Sequence, residues 1–246
     1  MFKFLKKCLF YNSRNEVVNN LKICVFGTIF FYFILWRLSD LEFAIENLNE
    51  YILVKNLYSP LFDNSYFEFF QYILLLWCSV VALRITTKTK FRFALPIPFI
   101  YIFLFLNDFL RIHDSIVPNY SNYLRTKYSF IERILFFSGL EEFLYWGIVL
   151  FLIILIIFIF SRNSNHESQE FMKINLVFFV ALAFFGIFID EFNNILYFLG
   201  DNKFLKILSF SLFTLEEFGE ISTIAFAFIW LINFSSNKMI KDKFTK

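Results

Sequence analysis

The sequence predicts an all-α polytopic membrane protein, a bundle of about six transmembrane helices that forms a single domain over residues 1–246. Of these residues, 59% are hydrophobic and 23% are aromatic, while only 6 are Gly and 4 are Pro. The mean hydropathy is +0.62. Long apolar segments that contain few helix-breaking residues are typical of membrane helices rather than of a soluble domain.

Apolar runs near the length of about 20 residues that crosses a bilayer recur six times along the chain. The predicted spans are 21–37, 66–84, 93–112, 140–160, 175–198 and 208–233.

Polar sequence separates each span from the next. The charged stretch 37–50 follows the first span, and the basic loop RITTKTKFR follows the second. The polar stretch 114–132 precedes the fourth span, the loop SRNSNHESQE precedes the fifth, and the short turn GDNK precedes the sixth. We therefore expect no separate soluble domain.

Charge and cysteine content exclude several classes of protein. The formal net charge is +2, and Lys and Arg are scattered rather than gathered on one face, so we expect no nucleic-acid partner. Three cysteines, two of them in apolar segments, imply no disulfide framework. The expected partner is the lipid bilayer.

The distribution of Lys and Arg predicts the orientation of the chain. Counted in the loops and at the ends of the spans, 14 of these residues fall on the side that carries both termini and 7 on the other side. Because positive residues concentrate on the cytoplasmic side, we expect both termini in the cytoplasm, in a bacterial inner membrane.

Acidic residues recur inside or at the rim of the last four predicted spans, although lipid-embedded segments normally exclude carboxylates. They are Asp108, Glu141, Glu142, Asp190, Glu191, Glu216, Glu217 and Glu220. Since consecutive spans alternate in direction, all of them fall in the outer half of the bundle, at a similar depth. This placement predicts a carboxylate-rich polar site.

Helical spacing predicts that several of these side chains share a face. Glu216 and Glu220 are four residues apart, as are Asp190 and Asn194, so each pair forms a polar stripe on an apolar helix. We expect both stripes to point into the bundle, because lipid would not solvate them.

The charge balance of such a site requires a neutralising group. The eight carboxylates face one intramembrane cation, Arg111, so either some carboxyls are protonated or a metal cation lies among them. Oxygen ligands with one imidazole suit Mg²⁺, Mn²⁺, Fe²⁺ or Zn²⁺, so we expect a divalent metal ion as cofactor. The predicted ligands are Asp108, His113, Asp114, Glu142, Asp190, Glu191, Glu216, Glu217 and Glu220, with Arg111, Asn194 and Tyr145 as supporting residues around them.

Family resemblance attaches no activity to the chain. The stretch NDFLRIHDSIVP resembles uncharacterised bacterial multi-pass membrane proteins that carry an acidic pair followed by His and an acid. The stretch EEFLYWG resembles the EExxxR motif of the CAAX-type intramembrane proteases, but Trp146 stands where that family has Arg. No functionally defined family is matched.

Three functions remain open at this point. The first is a metal-dependent, membrane-embedded enzyme that acts on a lipid or a small substrate entering from the outer side. The alternatives are a proton or cation transporter or channel, and a non-catalytic membrane assembly protein. The cytoplasmic halves of the fourth and sixth spans are uniformly apolar, which weighs against a path across the membrane.

Overall fold

The computed structural model describes residues 16–43, 66–88, 91–113, 115–116, 140–193 and 203–244. Within these ranges the regular structure is helical and contains no strand, which confirms the all-α prediction. The main helices are α1 (Glu16–Phe43), α2 (Tyr66–Lys88), α3 (Pro96–Phe109), α4 (Leu140–Arg162), α5 (His166–Ala183) and α6 (Lys203–Phe244).

Four helices of the described ranges are long and apolar enough to cross a membrane. They are Tyr66–Thr87, Glu142–Arg162, His166–Asn193 and Ser211–Ser236. Two shorter apolar helices, Val18–Ile34 and Pro96–Phe109, accompany them. By length and composition, the chain is an integral membrane protein.

Helix α6 lies at the centre of the bundle and α4 at its edge. Helix α6 packs against α1, α2 and α5, α2 packs along α3, and α4 packs on α5. In the apolar window of α6, 67% of the residues are buried inside the protein, against 11% in the window of α4. The outward side chains of α4 are large and apolar, as Phe158 shows with an exposed fraction of 66%, and such a surface suits lipid rather than water.

Except for α3, the helices extend beyond the spans predicted from hydropathy at one end or at both. Helix α5 begins at His166 rather than at 175, because the Asn165 side chain caps it by accepting a 3.0 Å hydrogen bond from the Ser168 amide. The Gln169 side-chain amide donates to the carbonyls of Ser161 and Ser164, which ties the start of α5 to the end of α4. Hydropathy marks only the apolar part of a helix, whereas backbone hydrogen bonding continues into polar sequence.

Two departures from regular α-helix lie at the same end of the bundle. A π-helix, Phe184–Ile189, continues α5. Helix α3 ends at Phe109 rather than at 112, because Arg111 adopts a left-handed backbone conformation with φ of 49°, after which the chain turns helical again at Ile112. A non-glycine residue seldom adopts this conformation, and such residues cluster at functional sites.

Candidate functional site

A cavity of about 360 Å³ lies at the end of the bundle where α2 and α4 begin and where α3 and the π-helix end. We call it the acidic cavity, because seven carboxyl side chains contribute to its lining. They are Glu68, Asp108, Glu142, Asp190, Glu216, Glu217 and Glu220. Arg111 and His113 line it as well.

The lining acids come from five helical segments that run alternately up and down the bundle. Helices α2, α3 and α4 contribute Glu68, Asp108 and Glu142 respectively. Asp190 directly follows the π-helix, and α6 supplies the remaining three acids. The antiparallel arrangement therefore gathers residues that are far apart in sequence.

Apolar side chains form the deep part of the acidic cavity. Leu75, Leu104, Phe179 and Ile224 line it there. Farther toward the opposite end, the described bundle is filled by fully buried side chains such as Phe171, whose ring packs 5.5 Å from that of Trp230 and 6.0 Å from that of Phe91. The described core therefore closes the cavity at its deep end.

Glu220 is held by two neighbours. The Gln71 side-chain amide donates a 3.0 Å hydrogen bond to Glu220 Oε2. On its other side the Glu220 carboxyl packs so tightly on Gly186, in the π-helix, that a Cβ added to this glycine would overlap Glu220 Oε1. The absence of a side chain at Gly186 therefore makes room for the carboxyl group.

Two other acidic residues near the cavity, Glu216 and Glu191, each have one buried carboxyl oxygen without a hydrogen-bond donor among the described residues. The two oxygens are Glu216 Oε2 and Glu191 Oε1. Glu216 lies within electrostatic range of Asp190, Glu217 and Glu220. A buried carboxylate without a partner costs several kcal/mol, so these groups require either a proton or a cation.

His113 belongs to a polar chain that joins α3 to α4. The Asn107 side chain lies 3.1 Å from His113 Nδ1 through its Nδ2 atom, and the Tyr145 hydroxyl donates a 2.7 Å hydrogen bond to Asn107 Oδ1. On the other edge of the imidazole, Nε2 lies 3.9 Å from Glu142 Oε1. The indole of Trp146 covers the ring at a centroid distance of 5.6 Å.

The predicted ligands divide into three groups. Those that line the acidic cavity are Asp108, His113, Glu142, Asp190, Glu216, Glu217 and Glu220. Glu191 is not among the lining residues, although its Oε1 is buried, and Asp114 lies outside the described residues. Of the predicted supporting residues, Arg111 lines the cavity, Tyr145 binds Asn107, and Asn194 lies outside the described residues.

Metal binding by these residues stays a prediction. In the described ranges no group of three or more His, Cys, Asp or Glu side chains is arranged so that it could hold a metal ion. Binding would therefore require at least some of the long Glu side chains to rotate toward a common centre. The acidic cavity has the volume for such movement.

Gln71 and Asn107 are polar residues of the site that the sequence prediction missed. Both are buried in otherwise apolar helices. Gln71 lies one helical turn after Glu68, and Asn107 directly precedes Asp108. The rule used for the acids, that a polar side chain inside a membrane helix faces the protein interior, would have found both.

Comparison with known proteins gives a family but no activity. A family model described as a domain of unknown function, DUF8692, matches residues 23–234. The chain belongs to this family. The match includes every described residue of the acidic cavity, and it agrees with the resemblance to uncharacterised proteins that the sequence indicated. No protein of curated function and no solved structure matches the chain significantly.

Proposed function

We propose that the acidic cavity binds a divalent metal ion and that the protein is a metal-dependent, membrane-embedded enzyme acting on a lipid or a small substrate. The observation that supports this proposal best is the convergence of seven carboxyl side chains on one cavity with an apolar deep end. A metal ion would neutralise acids that are otherwise buried together. Their oxygen atoms are the ligands that Mg²⁺ and Mn²⁺ prefer.

The acids around α6 are the best candidates for ligands. Asp190, Glu216 and Glu220 lie on two helices packed against each other, and Glu216 Oε2 has no hydrogen-bond partner among the described residues. A bound metal would polarise a substrate oxygen or activate a water molecule. A carboxylate of the cavity that is not among the predicted ligands, such as Glu68, would then accept the proton from that water.

The position of the acidic cavity is consistent with a membrane substrate. A volume of about 360 Å³ accommodates a small molecule or the polar headgroup of a lipid. The Lys and Arg distribution predicts that the cavity faces the outer side of a bacterial inner membrane, with both termini cytoplasmic. The substrate would then enter from outside the cell or from the outer leaflet.

Metal analysis of the purified protein tests this proposal. After incubation with Mn²⁺ or Zn²⁺ and removal of free metal, the unaltered protein should retain a stoichiometric amount. Glu220→Gln and Asp190→Asn should each abolish retention at neutral pH, because an amide oxygen is a neutral and weaker ligand. Glu170→Gln is the matched control, since this exposed residue lies in α5 and outside the cavity. Protein that folds and retains no metal under these conditions would contradict the proposal.

Proton or cation movement is the second candidate. It is favoured by the buried oxygens of Glu216 and Glu191 that lack partners among the described residues, because protonated carboxyls need no cation beside them. Purified protein that binds no metal, yet takes up protons or cations into liposomes in a way that Glu220→Gln removes, would establish this function. The closed deep end of the cavity would then have to open during transport.

A further inference from the structure

The acidic cavity changes from polar to apolar along its length. On helix α4 its lining begins with Glu142 and continues with Trp146, Val149, Leu150 and Ile153, which share one face of the helix. From Glu142 to Ile153 this face extends about 16 Å along the helix axis. The cavity therefore has a carboxyl-lined end, which we call the mouth, and a long apolar part behind it.

The other lining helices repeat this change from polar to apolar. Each contributes an acid at the mouth and, one to three helical turns away, an apolar side chain in the deep part. The pairs are Glu68 and Leu75 on α2, Asp108 and Leu104 on α3, Asp190 and Phe179 along α5 and its π-helical continuation, and Glu217 and Ile224 on α6. The division into two parts therefore belongs to the whole cavity rather than to one helix.

The deep part suits a single hydrocarbon chain. Its side chains Leu75, Leu104, Phe179 and Ile224 are all buried, so the space between them is closed to water. A polar group placed there would lose its hydrogen bonds, whereas a hydrocarbon chain has none to lose. A cavity volume of about 360 Å³ is near the lower end for small-molecule sites, so it has room for one chain and not for the two chains of a phospholipid.

The mouth suits a cationic headgroup. An ammonium group has three hydrogen-bond donors and no acceptor, which complements a wall of carboxyl oxygens. One of these oxygens, Glu216 Oε2, is buried and has no hydrogen-bond partner among the described residues. The seven carboxylates carry more negative charge than Arg111, His113 and one divalent ion could balance together, so a positive headgroup is favoured with or without a metal.

We propose that the acidic cavity binds a single-chain amphiphile with an ammonium headgroup, a long-chain amine. The headgroup lies among the carboxyls of the mouth, and the chain follows the inner face of α4 toward Ile153. A phospholipid fits neither part, because its phosphate is negative and it has two chains. As a statement about the substrate this inference rests on the proposed function, whereas binding of the amine requires no metal.

Photolabelling of the full-length protein in phosphatidylcholine nanodiscs tests the proposal. The probe is dodecylamine with a diazirine at the end of its chain, and mass spectrometry identifies the labelled residues. Helix α4 supplies an internal reference, because Val149, Leu150 and Ile153 line the cavity while Phe151 and Leu152 are 63% and 47% exposed on the outer face. The ratio of inner to outer labelling cancels differences in how much probe enters the membrane.

The headgroup and the chain are tested separately. The inner-to-outer ratio should be at least about tenfold higher for the amine than for a dodecanoate probe with the same chain, which corresponds to about 1.4 kcal/mol of binding free energy. Excess unlabelled dodecylamine should abolish inner labelling, and excess butylamine should not. Equal ratios for the two probes would overturn the role of the ammonium group, and equal competition by butylamine would overturn the role of the chain.

Two variants of α4 test the location of the chain. Ile153→Trp fills the deep part, so inner labelling by the amine probe should fall at least about tenfold. Leu152→Trp is the matched control, since this neighbouring residue lies on the outer face, and it should keep inner labelling. Unchanged labelling in a folded Ile153→Trp protein would refute the proposal. Leu150→Trp, at a half-buried position on the same face, replaces Ile153→Trp if that variant does not fold, and the comparison of probes on the unaltered protein decides in either case.

Metal retention separates this inference from the proposed function. Ile153→Trp leaves every carboxyl of the mouth in place, so it should retain as much Mn²⁺ as the unaltered protein. Specific labelling by the amine in a protein that retains no metal would support the amphiphile site and contradict the metal-dependent enzyme. Metal retention without any preference for the amine would contradict the amphiphile site alone.

Discussion

The contact between Gly186 and Glu220 can be tested by adding a single methyl group. In Gly186→Ala the new Cβ would overlap Glu220 Oε1, so the carboxyl or the π-helix must move. Gly147→Ala is the matched control. Gly147 lies in the apolar helix α4, and a Cβ added there would meet no atom within 4 Å. Both changes replace glycine with alanine inside a helix, and they differ in what surrounds the methyl group.

The expected magnitude follows from this difference. Replacing Gly with Ala inside a helix stabilises it by roughly 0.5–1 kcal/mol, so Gly147→Ala should slightly raise the free energy of unfolding. Overpacking a filled interior costs about 1–3 kcal/mol. The atom that meets the new methyl group is the end of the Glu220 side chain, which can turn toward the acidic cavity, so the cost should lie near the lower limit of this range. Because the helix term is common to both variants, Gly186→Ala should be less stable than Gly147→Ala by about 1 kcal/mol. Movement of Glu220 would also weaken its hydrogen bond from Gln71.

The difference between the two free energies of unfolding can be measured by reversible unfolding in mixed micelles, followed by far-ultraviolet circular dichroism. Metal retention can be measured on the same samples. We expect Gly186→Ala to retain less metal than Gly147→Ala, because Glu220 is displaced from its position. Equal stability and equal metal retention in the two variants would refute the close packing of the Glu220 carboxyl on Gly186.

Two further predictions concern the core and the topology. Tyr101→Phe removes the hydroxyl that donates a 2.9 Å hydrogen bond to buried Asn175 Oδ1, so the free energy of unfolding should fall by about 1–3 kcal/mol; an unchanged value would contradict this. Reporter fusions at Lys88 and Ser164 should give cytoplasmic signals and a fusion at Lys203 an external one, as the Lys and Arg distribution predicts. An external signal at Lys88 would reverse the orientation.

The helices were predictable because the length of a run of apolar residues can be read directly from the sequence. The predicted span 66–84 starts where α2 starts, and the predicted span 140–160 starts where α4 starts. The prediction underestimated α5 and α6, since their polar ends continue the helical hydrogen bonds outside the apolar window. The break at Arg111 was missed because no glycine or proline marks it.

The candidate site was only partly predictable. Spacing and alternating helix direction placed Asp190, Glu216 and Glu220 together, and all three line one cavity. The contacts of Asn107 and Gly186 depend on a backbone break and on a π-helix, and ideal α-helical spacing describes neither. Whether the acids bind a metal depends on side-chain rotation, which the spacing of residues does not determine.

The π-helix Phe184–Ile189 changes how sequences of this family should be compared. Its hydrogen bonds span one residue more than those of an α-helix, so each such turn acts as a one-residue insertion. In a regular α-helix one extra residue would rotate everything after it by roughly 100°, whereas the wider π-turn absorbs the extra residue. A homologue that lacks one residue here can complete the same turn as an α-helix, and an alignment without a gap would then pair Asp190 with the wrong residue. Alignments should therefore be inspected for the length of this segment before the acidic residues that follow it are compared.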